Sequence, residues 1–366
     1  MDAELPVVFQ AGVQARLETL RAVVEPRVRP VRARWASLRP DGATLPSRLK
    51  ALRDRDAPVF SPEAQAIATR ALCSFAFHPT DVFISTAARS GTTLTQQIVH
   101  QLRTGGDMSY TSIDEVVPWL DLHLLLNVPL SADRLARHRP RAYKTHLRID
   151  QLPLVRSTVG EGLIPAARCI SVVRSPLDML VSFFEFRQYA PEELVLEELV
   201  RDWLYREPVP AWLLPVISLH QAMKQFPDHI LCVFYEDLIS HRSEAIRRIG
   251  SFLGLDQTPD FTQRVEAATA FSSIDFMKAH GQQFEDPAVH GAIAAALGAT
   301  APDSAIVGTG QVGRGRATCP DATRQEHEEV MALWLEAAFG VRDYTGLRRS
   351  LYADAGLPLF RPGAMV

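Results

Sequence analysis

Three short stretches hold the residues best suited to chemistry. Lys144-Thr145-His146 puts a cation and an imidazole two positions apart, on the same side of a chain that stays extended. An imidazole near its ordinary pKa can take the proton of a hydroxyl while that hydroxyl attacks; the plain alternative is a surface histidine at a strand end. Arg89-Ser90-Gly91-Thr92-Thr93 offers a fixed cation, several hydroxyls and a glycine that lets the backbone approach a ligand closely. At the start of a helix its N–H groups have no intrahelical partner and lie at the positive end of the helix dipole, so the stretch can hold an anion. The same residues could instead do no more than cap a helix. Arg174 and Ser182 form the third set, and they meet only if the chain between them folds back into a helix.

Each set sits beside a short apolar run that could carry it. Val82, Phe83 and Ile84 precede the phosphate-type loop, Arg141 to Leu147 reads as a strand around the Lys-Thr-His stretch, and Cys169 to Val173 precedes Arg174. Ile230 to Phe234 is a further run, followed by Tyr235-Glu236-Asp237-Leu238. Leu94, Ile98, Val99 and Leu102 recur at helical spacing. Ser61 as N-cap, Pro62 at the first helical position and Glu63 in the first turn open a helix expected to reach Phe77. Tyr110 to Asn127 reads as irregular and then helical. The alternation predicts an α/β fold, a three-layer arrangement in which a parallel sheet has helices on both faces, with a P-loop-like strand-loop-helix from Asp81 to Leu102. Ligands of such sheets bind beyond the carboxyl ends of the strands. Every polar motif before residue 240 falls at such an end.

The 366 residues, 47% apolar and with a formal net charge of −3, can bury a full core. A balance this near neutral argues against nucleic acid as a partner, and no apolar run approaches the roughly 18 residues that would read as a transmembrane segment. Asp2 and Glu4 stand where a secretory leader needs basic residues, so a cytoplasmic protein is expected. Cys73, Cys169, Cys232 and Cys319 lack the spacing of a metal site; buried thiols are expected, with neither disulfides nor a metal. Basic residues are almost all Arg, with Lys only at 50, 144, 224 and 278, the mark of GC-rich coding and so of a bacterium. Residues 1–60 form an arm rich in Arg and Pro, expected to pack on a single domain over 61–366, and Pro26, Pro30, Pro40 and Pro46 are expected to break any long helix within it.

Taken together the motifs resemble one family. ISTAARSGTTL is similar to the 5′-phosphosulfate loop, usually TYPKSGTTW, of the sulfotransferases that use 3′-phosphoadenosine 5′-phosphosulfate (PAPS); Arg89 and Leu94 stand for the family's Lys and Trp. The nucleoside-triphosphate P-loop is not matched, because its early glycine and its lysine are missing. KTHL resembles KTHLP, whose His is the catalytic base and whose Lys contacts the sulfuryl group. VVRSPLDMLVSFFEF resembles ARNPKDVAVSYYHF, whose first Arg and later Ser grip the 3′-phosphate, a task suited to the planar fork of Arg. VPWLD resembles the acceptor-pocket segment VPFLE and makes Trp119 a candidate wall, with Phe183 beside it. YEDL brings in Tyr235 as a nucleotide contact, and SSIDFMK, similar to TSFxxMK, brings in Ser272 on the adenine side. Gly308 to Arg316 takes the place of the RKGxxGDWK lid: Gly310 and Gly313 keep the spacing, the leading Arg-Lys is lost, and Arg314 or Arg316 must supply the charge unless the loop binds nothing.

The resemblance spans Phe77 to Arg316 and implies sulfuryl transfer from PAPS to a hydroxyl of a small apolar or aromatic acceptor, leaving 3′-phosphoadenosine 5′-phosphate (PAP), without a metal. His146 would be the base, Arg89 and Lys144 would balance charge, and Ser90, Gly91, Thr92 and Thr93 would hold the 5′-phosphate. Two other readings stay open: a P-loop kinase or NTPase using Asp237 to hold magnesium, and a non-catalytic nucleotide-binding relative. The family's dimer motif is not evident after Arg316, which leaves the oligomeric state open.

Overall fold

The computed structural model describes residues 4–38, 58–157, 162–186, 194–299 and 306–360. Its centre is a parallel sheet of β1 (Val82–Thr86), β2 (Ala142–Thr145), β5 (Arg168–Val173) and β6 (Ile230–Phe234) in the order β2-β1-β5-β6. Between β2 and β5 the chain forms a small antiparallel pair, β3 (Leu154–Arg156) and β4 (Leu163–Pro165). The main helices are α1 (Val7–Ser37), α2 (Pro62–Cys73), α3 (Thr92–Thr104), α4 (Pro176–Phe186), α5 (Pro287–Leu297) and α6 (Asp321–Phe339).

Period-two alternation divides the sheet between two cores. Phe83, Tyr143, Cys169, Val173, Cys232 and Phe234 belong to one core with residues of α1, α4, α6 and the helix Leu213–Gln225. Val82, Ile84, Ala142, Ile170, Val172, Leu231 and Val233 face α3 and the helices Arg242–Phe252 and Phe261–Phe271. Both faces are therefore covered, as the apolar runs predict for a parallel sheet. The strand order reverses at β1: β2 lies on one side and β5 on the other, so the crevice beyond these carboxyl ends is the switch point where such sheets bind ligands. Ser61 caps α2, its hydroxyl accepting the Ala64 N–H at 3.1 Å, and the helix stops at Cys73 rather than Phe77.

The arm departs from expectation. Pro26 and Pro30 do not break it: both lie inside α1, a continuous helix of 31 residues. Each proline removes one backbone donor, yet both sit on the exposed side of the helix, where water can reach the freed carbonyls. The opposite side buries Phe9, Val13, Leu17, Leu20, Val24 and Val28. At about 1.5–3 kcal/mol for each large apolar side chain, that stripe outweighs a cost of about 3 kcal/mol per proline. Phe9 packs edge-on against Phe226, while Arg27 and Arg34 pair with Glu336 and Glu329 of α6. Pro40 and Pro46 lie outside the described residues.

Candidate active site

Between β1 and α3 the chain reverses through two left-handed residues, Arg89 (φ 63°) and Gly91 (φ 99°). The hydroxyls of Thr86 and Thr92 share a hydrogen bond of 2.5 Å and tie the strand end to the first helical residue. Gly91 stands at the N-cap, so no side chain caps α3 and its first amides stay open. Those amides face a cavity of about 630 Å³ that Gly91, Thr92, Thr93 and Leu94 line from this side. A Cβ on Gly91 would stand 2.7 Å from Cδ2 of Tyr235, so the glycine is demanded by its dihedral angle and by the ring packed on it.

Two arginines frame the loop. The Arg89 Nε donates to the Ser182 hydroxyl (3.2 Å), its Nη1 donates to the Ile306 carbonyl (3.2 Å), and its guanidinium lies 4.0 Å from the centre of the Phe186 ring. Arg174 donates from Nη1 to the Arg89 carbonyl (2.8 Å) and lies 4.2 Å from the centre of the Tyr235 ring; its buried Nε has no partner. Burial and, after it, the nearby Arg174 lower the Arg89 pKa to about 10. The Arg89 guanidinium therefore stays charged at neutral pH. Two clustered cations, an orphaned buried donor and an uncapped helix start fit a dianionic group such as a phosphosulfate. Arg174 and Ser182 thus converge by way of Arg89, after α4 folds back as the sequence requires. Trp212 supports them from behind, its indole N–H donating to the Arg174 carbonyl at 3.0 Å.

His146 follows β2 and hydrogen-bonds through Nδ1 to the Thr86 carbonyl at 2.8 Å. A carbonyl can only accept, so Nδ1 carries the proton and Nε2 keeps a lone pair. Burial, then the neighbouring Lys144, pushes the ring pKa down to about 3, and the imidazole is neutral at neutral pH. Lys144 Nζ stands 2.5 Å from Asp286 Oδ2 and 4.2 Å from the centre of the Trp119 ring. The same indole meets the His146 ring edge-on, with centroids 4.7 Å apart. The cation and the imidazole therefore rest on one tryptophan.

Of the remaining residues singled out from sequence, Tyr235, Phe183, Gly310 and Arg314 also line the cavity. Arg314 is held by Glu185, Nη1 donating to Oε2 at 2.8 Å. Three residues stand elsewhere. Ser90 is buried behind the loop beside Ser171 and Trp212. Ser272 is buried at the end of the helix Phe261–Phe271, its hydroxyl without a partner, and Ile274 and Met277 of the same segment reach the cavity instead. Arg316 has a 74% exposed side chain whose ion-pair partner is Glu328, at 4.0 Å. The glycine-rich loop is anchored by Asp178, which accepts the N–H groups of Gly313 (2.6 Å) and Gly315 (2.7 Å). Asp237, the residue a magnesium site would need, is bound by Arg348 at 2.6 Å and Tyr352 at 2.7 Å; Glu236 accepts from Ser175 N–H and Tyr344. Phe186 closes the motif that holds Arg174 and Ser182 but was not singled out, and Asp286, His290, Trp203 and Ile293 carry no signal in the sequence. These four stand in no motif, and only the fold brings them near the cavity.

Comparisons with known proteins bear on the family and the fold. The profile of the sulfotransferase domain matches residues 79–285. Sulfotransferase 1 family member D1 of Mus musculus is 28% identical over 215 residues, covering 54% of this chain and 67% of that protein. Among solved structures, mouse sulfotransferase SULT7A1 complexed with PAP superposes with a TM-score of 0.51 at 17% identity, over 78% of this chain and 93% of its own. Retinol dehydratase, solved with androsterone and the inactive cofactor PAP, does so at 0.50 and 19% identity, over 71% and 82%. These likenesses support the fold, and among the described residues no helix is long and apolar enough to cross a membrane. By its profile match, its loop and its sheet, the chain belongs to the sulfotransferase domain family.

Proposed function

We propose that this protein transfers the sulfuryl group of PAPS to the hydroxyl of a small apolar or aromatic acceptor. The observation that carries the reading is the tautomer of His146: with Nδ1 donating to Thr86, Nε2 is left as a proton acceptor on a residue that lines the cavity. Nε2 takes the acceptor's O–H proton as that oxygen bonds to sulfur. The bond from sulfur to the bridging oxygen breaks, and its electron pair leaves with the 5′-phosphate of PAP. Arg89 and Lys144 balance charge on the sulfuryl and leaving oxygens, and the open amides of α3 with Thr92 and Thr93 hold the 5′-phosphate. Arg174 and Ser182 take the 3′-phosphate, with Arg314 available above them. The apolar walls, from Trp119, Phe183, Phe186 and Trp203, suit an acceptor that buries hydrocarbon.

Catalysis of this kind rests on positioning and electrostatics. PAP and PAPS are expected to raise the unfolding midpoint, and ATP to raise it far less. With a panel of phenols and aliphatic alcohols, His146→Ala is expected to lose at least about a hundredfold in turnover while still binding PAP. Equal turnover in that variant would overturn the assignment of the base.

A further inference from the structure

Asp286 lies beyond every motif of the sequence, and its side chain is 1% exposed. It is the residue directly before α5, a place where Asp normally accepts helix amides, yet its side chain makes no capping bond. Instead Oδ2 takes the Lys144 ammonium at 2.5 Å, and Oδ1 has no partner. A lysine this buried requires a counter-charge, and a four-carbon stem without one would not hold a single place. Lys144 in turn rests on the indole that His146 also touches.

A second carboxylate fixes that tryptophan from the other side. The Trp119 backbone N–H donates to Asp114 Oδ1 at 2.9 Å, and the other Asp114 oxygen faces His123 Nε2 at 2.6 Å. His123 Nδ1 faces the Val128 carbonyl at 3.0 Å, so both ring nitrogens meet acceptors, and only the imidazolium satisfies both. Lys144, Asp286, His123 and Asp114 thus form a buried group of two cations and two anions around Trp119.

We propose that Asp286 is a positioning residue for the transfer, setting the place of the Lys144 ammonium relative to His146 by drawing it onto Trp119. This rests on the roles given above to Lys144 and His146. Because α5 also presents His290 and Ile293 to the cavity, the wall that meets the acceptor and the cation that meets the sulfuryl group are joined through this one carboxylate.

The test is a double-mutant cycle in the full chain, with kcat and KM measured for PAPS and for one acceptor that the wild type turns over, and PAP-induced thermal stabilisation as the check on folding. Asp286→Asn is expected to lower kcat at least about tenfold. In a Lys144→Ala background the same change is expected to have no further effect on the residual kcat. Asp286→Glu keeps the charge but moves it; it is expected to lower kcat while Lys144 is present and to do nothing in the Lys144→Ala background. Should Asp286→Asn fail to fold, the Glu variant alone decides. Wild-type kcat in either variant, or the same loss in both backgrounds, overturns the proposal while leaving the function intact. Absence of PAPS turnover in the wild type would overturn both.

Discussion

Arg89 departs from the family pattern within the phosphosulfate loop, and its surroundings say what the exchange does. A lysine cannot reproduce a donor to Ser182, a donor to Ile306 and a planar face on Phe186 at once. Arg89→Lys is therefore expected to lower kcat/KM for PAPS by roughly ten- to a hundredfold, about 1.4–2.7 kcal/mol. Rates equal to the wild type would mean that Arg89 reflects only the Arg-rich composition of the chain. Residues of this kind were legible in sequence because they travel in short contiguous runs: RSGTT and KTH keep their neighbours whatever the rest of the chain does. Asp286 was not legible, since it meets Lys144 across 142 positions and no local spacing announces the pair. Ser272 and Arg316 show the converse failure. Their motifs fall in the right segments, but in the fold Ile274, Met277 and Arg314 are the side chains that reach the cavity.

Two contacts between elements depend on the absence of a side chain. At Gly91 a methyl group would meet Tyr235 and force a left-handed angle on an L-residue. At Gly315 a Cβ would stand 2.3 Å from the carbonyl carbon of Leu177, backbone that cannot step aside. Gly91→Ala is expected to cost about 1–3 kcal/mol of stability and to weaken PAP binding with it. Gly315→Ala is expected to detach the short helix Arg314–Thr318 from α4 and so to weaken PAP binding by more than it lowers the unfolding midpoint. Denaturant titrations with and without PAP separate the two; an unchanged PAP affinity in Gly315→Ala would show that the loop does not hold the nucleotide. The strands and α3 could be placed from apolar periodicity alone, because each buries a regular pattern. The prolines of α1 misled because their cost is local whereas the stripe that offsets it is spread along the helix.

For the molecule as a whole, the buried histidines set the response to acid. Burial pushes His100 and His146 down to about 3 and His290 and His327 down to about 4, against an ordinary value of 6.5. Between those limits the unfolded chain binds protons that the folded chain does not, so stability is full above about pH 6.5 and is lost as pH falls through the window. His123 works in the opposite sense: burial lowers its pKa, but the Asp114 carboxylate more than offsets that and the net shift is upward. Burial lowers His138, His220 and His229 as well, while it raises the carboxyls of Asp121, to about 6, Glu236 and Asp286, which act in the same sense as His123. With seven histidines against these four groups, the unfolding midpoint is expected to fall by a few degrees between about pH 7 and pH 5. A midpoint that is level or rises over that interval would contradict the burial described for these rings.

The seating of α1 has a consequence for the order in which the protein comes together. Its first half rests on the Leu213–Gln225 region, with Phe9 on Phe226 and Arg16 facing His220, while its second half rests on α6 through Arg27, Arg34 and Trp35. On the ribosome α1 emerges before either seat exists. At about 5–20 residues per second, roughly tens of seconds pass before α6 follows it. The sheet with its phosphate loop can assemble in that interval, but the stripe from Phe9 to Val28 must wait, half of it until nearly the last helix is made. Chains halted before Asp321 are expected to carry that apolar surface uncovered, as clients for chaperones and nuclei for aggregation.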